Sequence, residues 1–255
     1  MHCEKWEIID TGKASAVRNM AIDVELLDQL ASEQKRPILH LYDWDVPSAT
    51  YGHFTDPYRF IHPNADKLGL QLARRPTGGG MIFHLTDLAF SILVPASHYG
   101  YSVNVLDNYA FVNYLVIEAV KRFTNLQIHP HLLSHEPQTT VAISKHFCMA
   151  KPTKYDVMLE GRKIGGGAQR RTKHGFLHQG SISLSLPPID FLNKILLPQQ
   201  GLIEAMQATT YALIPFQPTL NLKQLGDARR ELSQLLIDVV LARPHCFKSY
   251  ILDRR

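Results

Sequence analysis

The chain has 255 residues, of which 45% are hydrophobic and 20% charged, with 15 glycines and 15 prolines. This composition excludes disordered, collagen-like and low-complexity proteins, and the length favours a single domain over residues 1–255. The net charge of +4 is too small to demand a nucleic-acid partner. No apolar run approaches the ~18 residues of a membrane-spanning helix, and the first residues lack the apolar stretch of a signal peptide. We therefore expect a cytoplasmic protein that binds neither a membrane nor nucleic acid.

In the first part of the chain, apolar residues at helical spacing predict a helix from Ala16 to Leu30, with Ser15 as its N-cap. The segment Ile38–Tyr42 is a short strand candidate, and Leu68–Arg75 leads into a glycine turn. Two further strands are predicted after that turn, at Met81–Phe83 and Leu88–Val94.

The middle of the chain predicts one long helix and one hairpin. The helix covers Asp107–Phe123, and the polar stretch Gln127–Thr140 after it is typical of a surface loop. Tyr155–Leu159 and Arg162–Ile164 flank the pair Glu160-Gly161, which indicates a β-hairpin with a tight glycine turn.

The last part of the chain predicts a strand followed by helical structure. Serines alternate with aliphatic residues over Ser181–Leu186, which indicates a half-buried strand, and Leu222–Val240 is periodic like a helix. Strands and helices do not alternate regularly along the chain. The sequence therefore predicts an α+β fold, with a mostly antiparallel sheet, packed helices and a helical extension from about residue 190.

Three cysteines, Cys3, Cys148 and Cys246, lie far apart in the sequence. An odd and sparse set predicts neither a disulfide framework nor a zinc site, and it fits a reducing compartment. The thirteen histidines include no His-Glu-x-x-His pattern and no pair with a cysteine at ligand spacing. We therefore expect no metal site.

The first segment that could take part in binding or catalysis runs from Arg74 to His84. It contains Arg75 and the triplet Gly78, Gly79 and Gly80. Glycines allow positive φ and leave no Cβ to block a ligand, so backbone N–H groups there could face a phosphate or an acyl carbonyl. The segment is neither a P-loop nor a dinucleotide-binding fingerprint. The plainer interpretation is a tight turn between two strands, with surface arginines.

A second segment places Lys163 between Gly161 and another triplet, Gly165–Gly167, followed by Ala168. A lysine beside open backbone can approach a phosphate, a carbonyl or a thiolate closely, or can be an ordinary solvated hairpin residue.

The third segment holds Cys148. A lone cysteine is usually a small buried hydrophobe, and a nucleophilic thiolate would need a cation beside it.

Together these segments resemble the superfamily of lipoate–protein ligases, octanoyltransferases and biotin ligases. The resemblance covers roughly residues 6–186. It rests on the order of Arg74–His84, the lysine hairpin and the strand His178–Ser181, and on a first helix containing Asn19–Asp23. It implies a biotin/lipoate ligase-like α+β catalytic domain that delivers a medium-chain acyl group to a lysine of a carrier domain.

Within that superfamily, the sequence most resembles the cysteine-dependent octanoyltransferases of Gram-positive bacteria. The segment from Cys148 through Pro152, Tyr155-Asp156 and Gly161–Lys163 is similar to their nucleophile region. This implies that Cys148 is the acyl-thioester nucleophile and that Lys163 lies beside the reacting carbonyl. The resemblance further implies that the acyl group is bound by residues of both glycine segments: Arg75, Gly78, Gly79, Gly80, His84, Gly166, Gly167 and Ala168.

The implied partners are octanoyl-acyl carrier protein as donor, and a lipoyl domain of a 2-oxoacid dehydrogenase E2 or the glycine-cleavage H protein as acceptor. No cofactor is expected. Two alternatives stay open because Gly80 stands where those transferases usually have arginine and Gly166 where serine is common. One is an ATP- and magnesium-dependent lipoate–protein ligase that forms an acyl-adenylate. The other is a non-catalytic relative that binds acyl groups or lipoyl domains.

Overall fold

The computed structural model describes residues 5–32, 36–137, 146–198, 201–214 and 221–242. The strands found in these ranges are β1 Glu7–Ala14, β2 Ile38–Trp44, β3 Ser48–Tyr51, β4 Gln71–Arg74, β5 Met81–His84, β6 Asp87–Pro95, β7 His131–Leu132, β8 Val157–Leu159, β9 Arg162–Thr172 and β10 Gly175–Ser183.

The helices follow the same order along the chain. They are α1 Ala16–Gln29, α2 Val105–Phe123, α3 Ile189–Ile195, α4 Leu202–Thr209 and α5 Leu222–Ala242, with a 3-10 turn at Pro57–Arg59. Ser15 accepts a hydrogen bond from Arg18 N and Asn104 accepts one from Leu106 N, so α1 and α2 both begin at a side-chain cap. No helix in the described ranges has the length and apolar character needed to cross a membrane.

Two sheets carry the architecture. The larger has seven strands in the order β1-β2-β6-β10-β9-β8-β7, and every neighbouring pair except β1–β2 is antiparallel. The smaller has the order β4-β3-β5, with β3 and β4 parallel. The predicted α+β fold with a mostly antiparallel sheet is therefore confirmed.

The large sheet is covered on both faces. Helices α2 and α5 pack on one face over the main apolar core, where Phe90, Phe111, Phe176 and Leu232 are buried. Helix α1 packs on the other face through Leu26 and Leu27. A separate apolar cluster joins the small sheet to α3, α4 and the segment around Phe147. A cavity remains between the two sheets.

Most predicted elements are confirmed, and three predictions need correction. The last strand is Gly175–Ser183, so the prediction of Ser181–Leu186 began too late and ran too far. The second arm of the hairpin does not stop at Ile164 but continues as β9 to Thr172. The predicted loop after α2 contains the short strand β7. Cys3 and Cys246 lie outside the described residues.

Candidate active site

A cavity of about 550 Å³ lies between the small sheet and the inner strands of the large sheet. Side chains from both sheets and from the segment between β7 and β8 line it, among them Arg75, His84, Tyr109, Cys148, Lys163 and Gln179. All ten residues that the sequence proposed for the site line this one cavity, although they come from segments separated by up to about ninety positions.

The first glycine triplet forms the loop between β4 and β5, and Arg75 holds it in place. Arg75 Nη2 donates to the carbonyl oxygens of Gly78 at 2.8 Å and Gly80 at 2.7 Å. Gly79 between them has φ +87°, a conformation that favours glycine. The loop carbonyls thus point at the guanidinium.

The other arm of the Arg75 guanidinium is anchored in the small sheet. Nη1 donates to both the backbone oxygen and Oγ1 of Thr50 on β3, each at 3.1 Å. Arg75 is only 4% exposed, so the plainer interpretation of a surface arginine does not hold for this residue, which is a buried charge. Its Nη2 lies 3.9 Å from Cys148 Sγ.

Cys148 is held against the start of β5. Its N–H donates to Met81 O at 2.9 Å, and the preceding Phe147 forms a parallel bridge with Met81. This pairing continues the edge of the small sheet beyond its three named strands. The thiol is half-buried and unbonded to another cysteine, and it lines the cavity.

Lys163 approaches the same residue from the large sheet. Its Nζ donates to Cys148 O at 3.2 Å and pairs with Asp156 Oδ2 at 2.8 Å. Both side chains of the pair are largely buried, at 13% and 3% exposure. The same Asp156 oxygen accepts from the N–H and hydroxyl of Thr153. Lys163 therefore contacts Cys148 across the hairpin, through the backbone oxygen of that residue.

His84 lies at the end of β5 within a buried hydrogen-bonded group. Its Nδ1 bonds Asp87 Oδ2 at 2.8 Å, its Nε2 bonds Thr50 Oγ1 at 2.9 Å, and its ring stacks on Trp44. Burial alone would raise the pKa of Asp87, but the charge of His84 and hydrogen bonds from His84 and Ser181 hold that pKa below its usual value. The carboxylate therefore fixes the orientation of the ring.

A second buried chain reaches the glycine loop from α1. Asp23 bonds His40 Nδ1 through Oδ1 at 2.8 Å and accepts from Gln179 Nε2 through Oδ2 at 2.6 Å. Gln179 Oε1 in turn accepts from Thr77 Oγ1 at 2.7 Å, just before the triplet. The loop is thus tied to the large sheet by side chains that are all nearly inaccessible to solvent.

The second glycine triplet lies in β9 and forms part of the cavity wall. Gly166 and Gly167 pair with Ser181 and Gly180 of β10 in regular antiparallel register. Behind Gly167 lies His178, whose burial lowers its pKa to about 3, so this ring is neutral. The triplet therefore keeps a regular strand free of side chains.

Residues 15–236 match the lipoyl protein ligase A/B catalytic domain family. The chain belongs to this family. It is 30% identical over 212 residues to octanoyltransferase LipM of Bacillus subtilis, covering 81% of this chain and 75% of that protein. The resemblance inferred from the motifs is thereby confirmed.

Solved structures agree on the fold. A bi-partite lipoate protein ligase from Thermoplasma acidophilum is similar with a TM-score of 0.60 and 21% identity, over 91% of this chain and 84% of that one. Lipoate-protein ligase A bound with ATP is similar with a TM-score of 0.57 and 21% identity, over 91% and 85%. At this identity the likeness establishes the fold of the family domain and not its ligands.

Several residues of the site were not singled out from the sequence. Asp87 gave no pattern that separates a site residue from an ordinary strand residue, and Gln179 lay in the strand that carried the resemblance without being assigned a role. Asp156 stood in the segment similar to the transferases, in the first arm of the predicted hairpin, and it forms an ion pair with Lys163 of the second arm. In the described ranges no three His, Cys, Asp or Glu side chains form a group suited to a metal ion.

Proposed function

We propose that this protein is an octanoyltransferase that carries the acyl group as a thioester on Cys148. The single observation that carries the proposal is the convergence of a half-buried thiol, Arg75 and Lys163 at one cavity, in a chain related to octanoyltransferase LipM. A cysteine near cations is the environment that a thiolate nucleophile requires. Met20, Ile82, Phe147 and Met149 supply apolar surface for an acyl chain.

In the first half-reaction, the Cys148 thiolate attacks the carbonyl carbon of an octanoyl thioester. A C–S bond forms to Cys148, the C–S bond to the carrier thiol breaks, and the carrier leaves as a thiolate that takes up a proton. The energy of one thioester is conserved in the other. No nucleotide or metal is therefore required for this step.

In the second half-reaction, the neutral amine of an acceptor lysine attacks the acyl-enzyme. A C–N bond forms, the bond to Cys148 Sγ breaks, and the proton lost from nitrogen goes to solvent. The thiolate is restored. The route is a ping-pong sequence in which donor and acceptor use the same cavity in turn.

Lys163 is suited to the oxyanion that forms in both steps. An ammonium has three donors, and Asp156 Oδ2 and Cys148 O account for two of them. The third can be donated to the carbonyl oxygen as it gains charge, in a site where the two existing contacts hold Nζ in position. A preorganised donor of this kind is worth about 10²–10³ in rate.

The proposed donor is octanoyl-acyl carrier protein, and the proposed acceptor is a lipoyl domain of a 2-oxoacid dehydrogenase E2 or the glycine-cleavage H protein. A net charge of +4 suits acidic partners of either kind. These carriers place the reaction in the cytoplasm, and the whole chain would act as a single catalytic domain.

The test is intact-protein mass spectrometry after incubation with octanoyl-acyl carrier protein and no nucleotide. We expect one octanoyl adduct that is removed by hydroxylamine and transferred to an added lipoyl domain. Cys148→Ala should lose the adduct, while the matched controls Cys3→Ala and Cys246→Ala should keep it. An adduct that persists in Cys148→Ala would contradict the cysteine mechanism.

The triplet ending in Gly80 favours a second candidate, an ATP-dependent lipoate–protein ligase. In that case free octanoate or lipoate with ATP and magnesium would modify the lipoyl domain, and Cys148→Ala would retain activity. Binding of the lipoyl domain without turnover in either assay would instead indicate a non-catalytic relative.

A further inference from the structure

Arg75 is a buried cation that donates hydrogen bonds to four uncharged oxygens and makes one long contact with the sulfur of Cys148. Its four N–H···O contacts go to Thr50 O, Thr50 Oγ1, Gly78 O and Gly80 O. In the part of the chain that the structure describes, no carboxylate forms an ion pair with it. A buried charge without an opposite charge is costly, so the site requires an anion near this guanidinium.

The ionisable group in contact with Arg75 is the Cys148 thiol. Nη2 lies 3.9 Å from Sγ, and Gly79 adds no side chain between them, since a Cβ built there would itself lie 3.8 Å from Sγ. Because Nη2 also donates to two glycine carbonyls, its hydrogen bond to Sγ is long and shared, and the contact acts mainly through charge.

Lys163 is electrostatically different. Its charge is balanced by Asp156 at 2.8 Å, and its hydrogen bond to the nucleophile residue goes to the backbone oxygen. Cation and carboxylate together resemble a dipole, whose field falls off faster than that of a single charge. Among the residues that the structure describes, no carboxylate forms such an ion pair with Arg75. Of the two cations, Arg75 should therefore act more strongly on the sulfur.

We propose that Arg75 is the catalytic cation that holds Cys148 as a thiolate, and that Lys163 acts on the oxyanion. This division of roles rests on the proposed function. It changes the interpretation of Arg75, which the sequence suggested as a residue for binding the acyl group. The guanidinium is suited to this task because both of its terminal nitrogens are held, Nη1 by Thr50 and Nη2 by the carbonyls of the glycine loop.

Thr50 and His84 act as positioning residues for that fork. Thr50 Oγ1 accepts from Arg75 Nη1 and also hydrogen-bonds His84 Nε2, while Asp87 fixes the other ring nitrogen. Hydrogen bonds therefore connect Asp87 through His84, Thr50 and Arg75 to Cys148, and each side chain between the two ends is held at both sides. Removing one hydroxyl at Thr50 should loosen Arg75 without adding volume to the core.

The test measures the rate at which Cys148 reacts with iodoacetamide, in a Cys3→Ser, Cys246→Ser background that leaves one thiol. An opposite charge at close range typically changes the thiolate population about tenfold or more near neutral pH. We expect Arg75→Gln to slow alkylation about tenfold at pH 7. Lys163→Gln should slow it by less than about threefold. Circular dichroism checks that each variant is folded.

Arg75 is buried, so Arg75→Gln could fail to fold, and an isosteric pair at Thr50 then decides. Thr50→Val removes the hydroxyl and should slow alkylation several-fold, and Thr50→Ser should restore most of the rate. The full pH profile of alkylation is recorded for each variant. Loss of the cation should displace the profile to higher pH, whereas a purely structural change would lower stability without displacing it.

Unchanged alkylation in folded Arg75→Gln, or in Thr50→Val when Arg75→Gln does not fold, would overturn the proposal. So would a larger slowing in Lys163→Gln than in Arg75→Gln. The proposed function is judged separately by adduct formation from octanoyl-acyl carrier protein. An Arg75-dependent alkylation rate without an octanoyl adduct would leave the thiolate assignment standing and reject the transferase.

Discussion

Two glycine triplets line the same cavity, and the molecule needs each for a different reason. Gly78–Gly80 forms an irregular loop with a left-handed residue at Gly79. At Gly80 the space for a side chain is occupied by backbone, since a Cβ would lie 2.3 Å from His146 O. This triplet therefore lets the main chain before Cys148 come close to β5.

Gly165–Gly167 is instead part of a regular strand, paired residue for residue with β10. At Gly166 a Cβ would lie 2.0 Å from Asp156 Oδ1 and 2.8 Å from Lys163 Cε. At Gly167 it would lie 2.2 Å from His178 Nε2. Gly165 and Gly167 also lie close to backbone, since a Cβ there would be 2.9 Å from Ser181 O and 2.6 Å from Gln179 O, so Gly166 is the member of this triplet that makes room for side chains alone. Backbone obstacles cannot move alone, whereas the ends of side chains can, so substitutions at Gly80 and at Gly166 should fail in different ways.

The largest effect is expected for Gly80→Ala. Its Cβ would meet the backbone of His146 and Phe147, so the segment leading to Cys148 must shift. We expect a loss of about 2 kcal/mol in the free energy of unfolding and a roughly 100-fold slower formation of the acyl-enzyme. Urea denaturation and single-turnover acylation measure the two quantities. Wild-type values for both would show that the close approach at Gly80 is not required.

Gly166→Ala should separate activity from stability. The atoms in its way are ends of the Asp156 and Lys163 side chains, which can move and thereby break their ion pair. We expect acylation to slow about tenfold, less than the loss of a whole oxyanion donor, while unfolding changes by less than about 1 kcal/mol.

The double variant with Lys163→Ala tests whether this loss passes through the lysine. If it does, Gly166→Ala adds nothing to the loss already caused by Lys163→Ala. Full additivity would instead assign Gly166 a role of its own, for example in contact with the acyl chain.

The same difference explains how much of this site the sequence could predict. The family resemblance, carried by the order of these segments, predicted one site for Arg75, the two triplets, Cys148 and Lys163, and all of them line one cavity. The roles within the site depend on tertiary contacts. Arg75 and Cys148 are 73 positions apart, and no local pattern states that the guanidinium turns inward to the sulfur.

The strands show a similar limit. The alternation that begins at Ser181 correctly indicated a strand. However, β10 begins at Gly175, and Gly175, His178 and Gly180 interrupt the alternation of apolar and polar residues in its first part. In β9, three consecutive glycines suggested a break because glycine is unfavourable in strands. The pairing of all three glycines with β10, and of Gly165 also with β8, outweighs that local preference.

His178 behind Gly167 predicts a pH dependence of stability. Burial lowers its pKa to about 3 in the folded protein, against about 6.5 when it is exposed. Its full contribution is present above pH ~6.5, and it is lost as the pH falls because the unfolded chain then binds a proton that the folded chain does not. The slope from this one group is at most about 1.4 kcal/mol per pH unit.

His178→Phe keeps a ring stacked near Phe90 and removes the titration. Denaturation from pH 7 to pH 4 should then show a shallower loss of stability than in the wild type. Equal slopes would mean that this histidine is protonated in the folded protein, and that the glycine behind it does not shield a neutral ring.

The smallest effect is expected for Gly78→Ala, in the same loop as Gly80. No atom lies within 4 Å of the position its Cβ would take, and its φ is outside the left-handed region. An alanine there restricts the unfolded chain without straining the folded one, so stability should be unchanged or higher by about 0.4–1 kcal/mol. Acylation and alkylation of Cys148 should stay within about twofold of the wild type, since the loop carbonyl that accepts from Arg75 is not displaced. A loss as large as that of Gly80→Ala would mean that the loop requires three glycines for one common reason, and the distinction between backbone and side-chain obstacles would not hold within the first triplet.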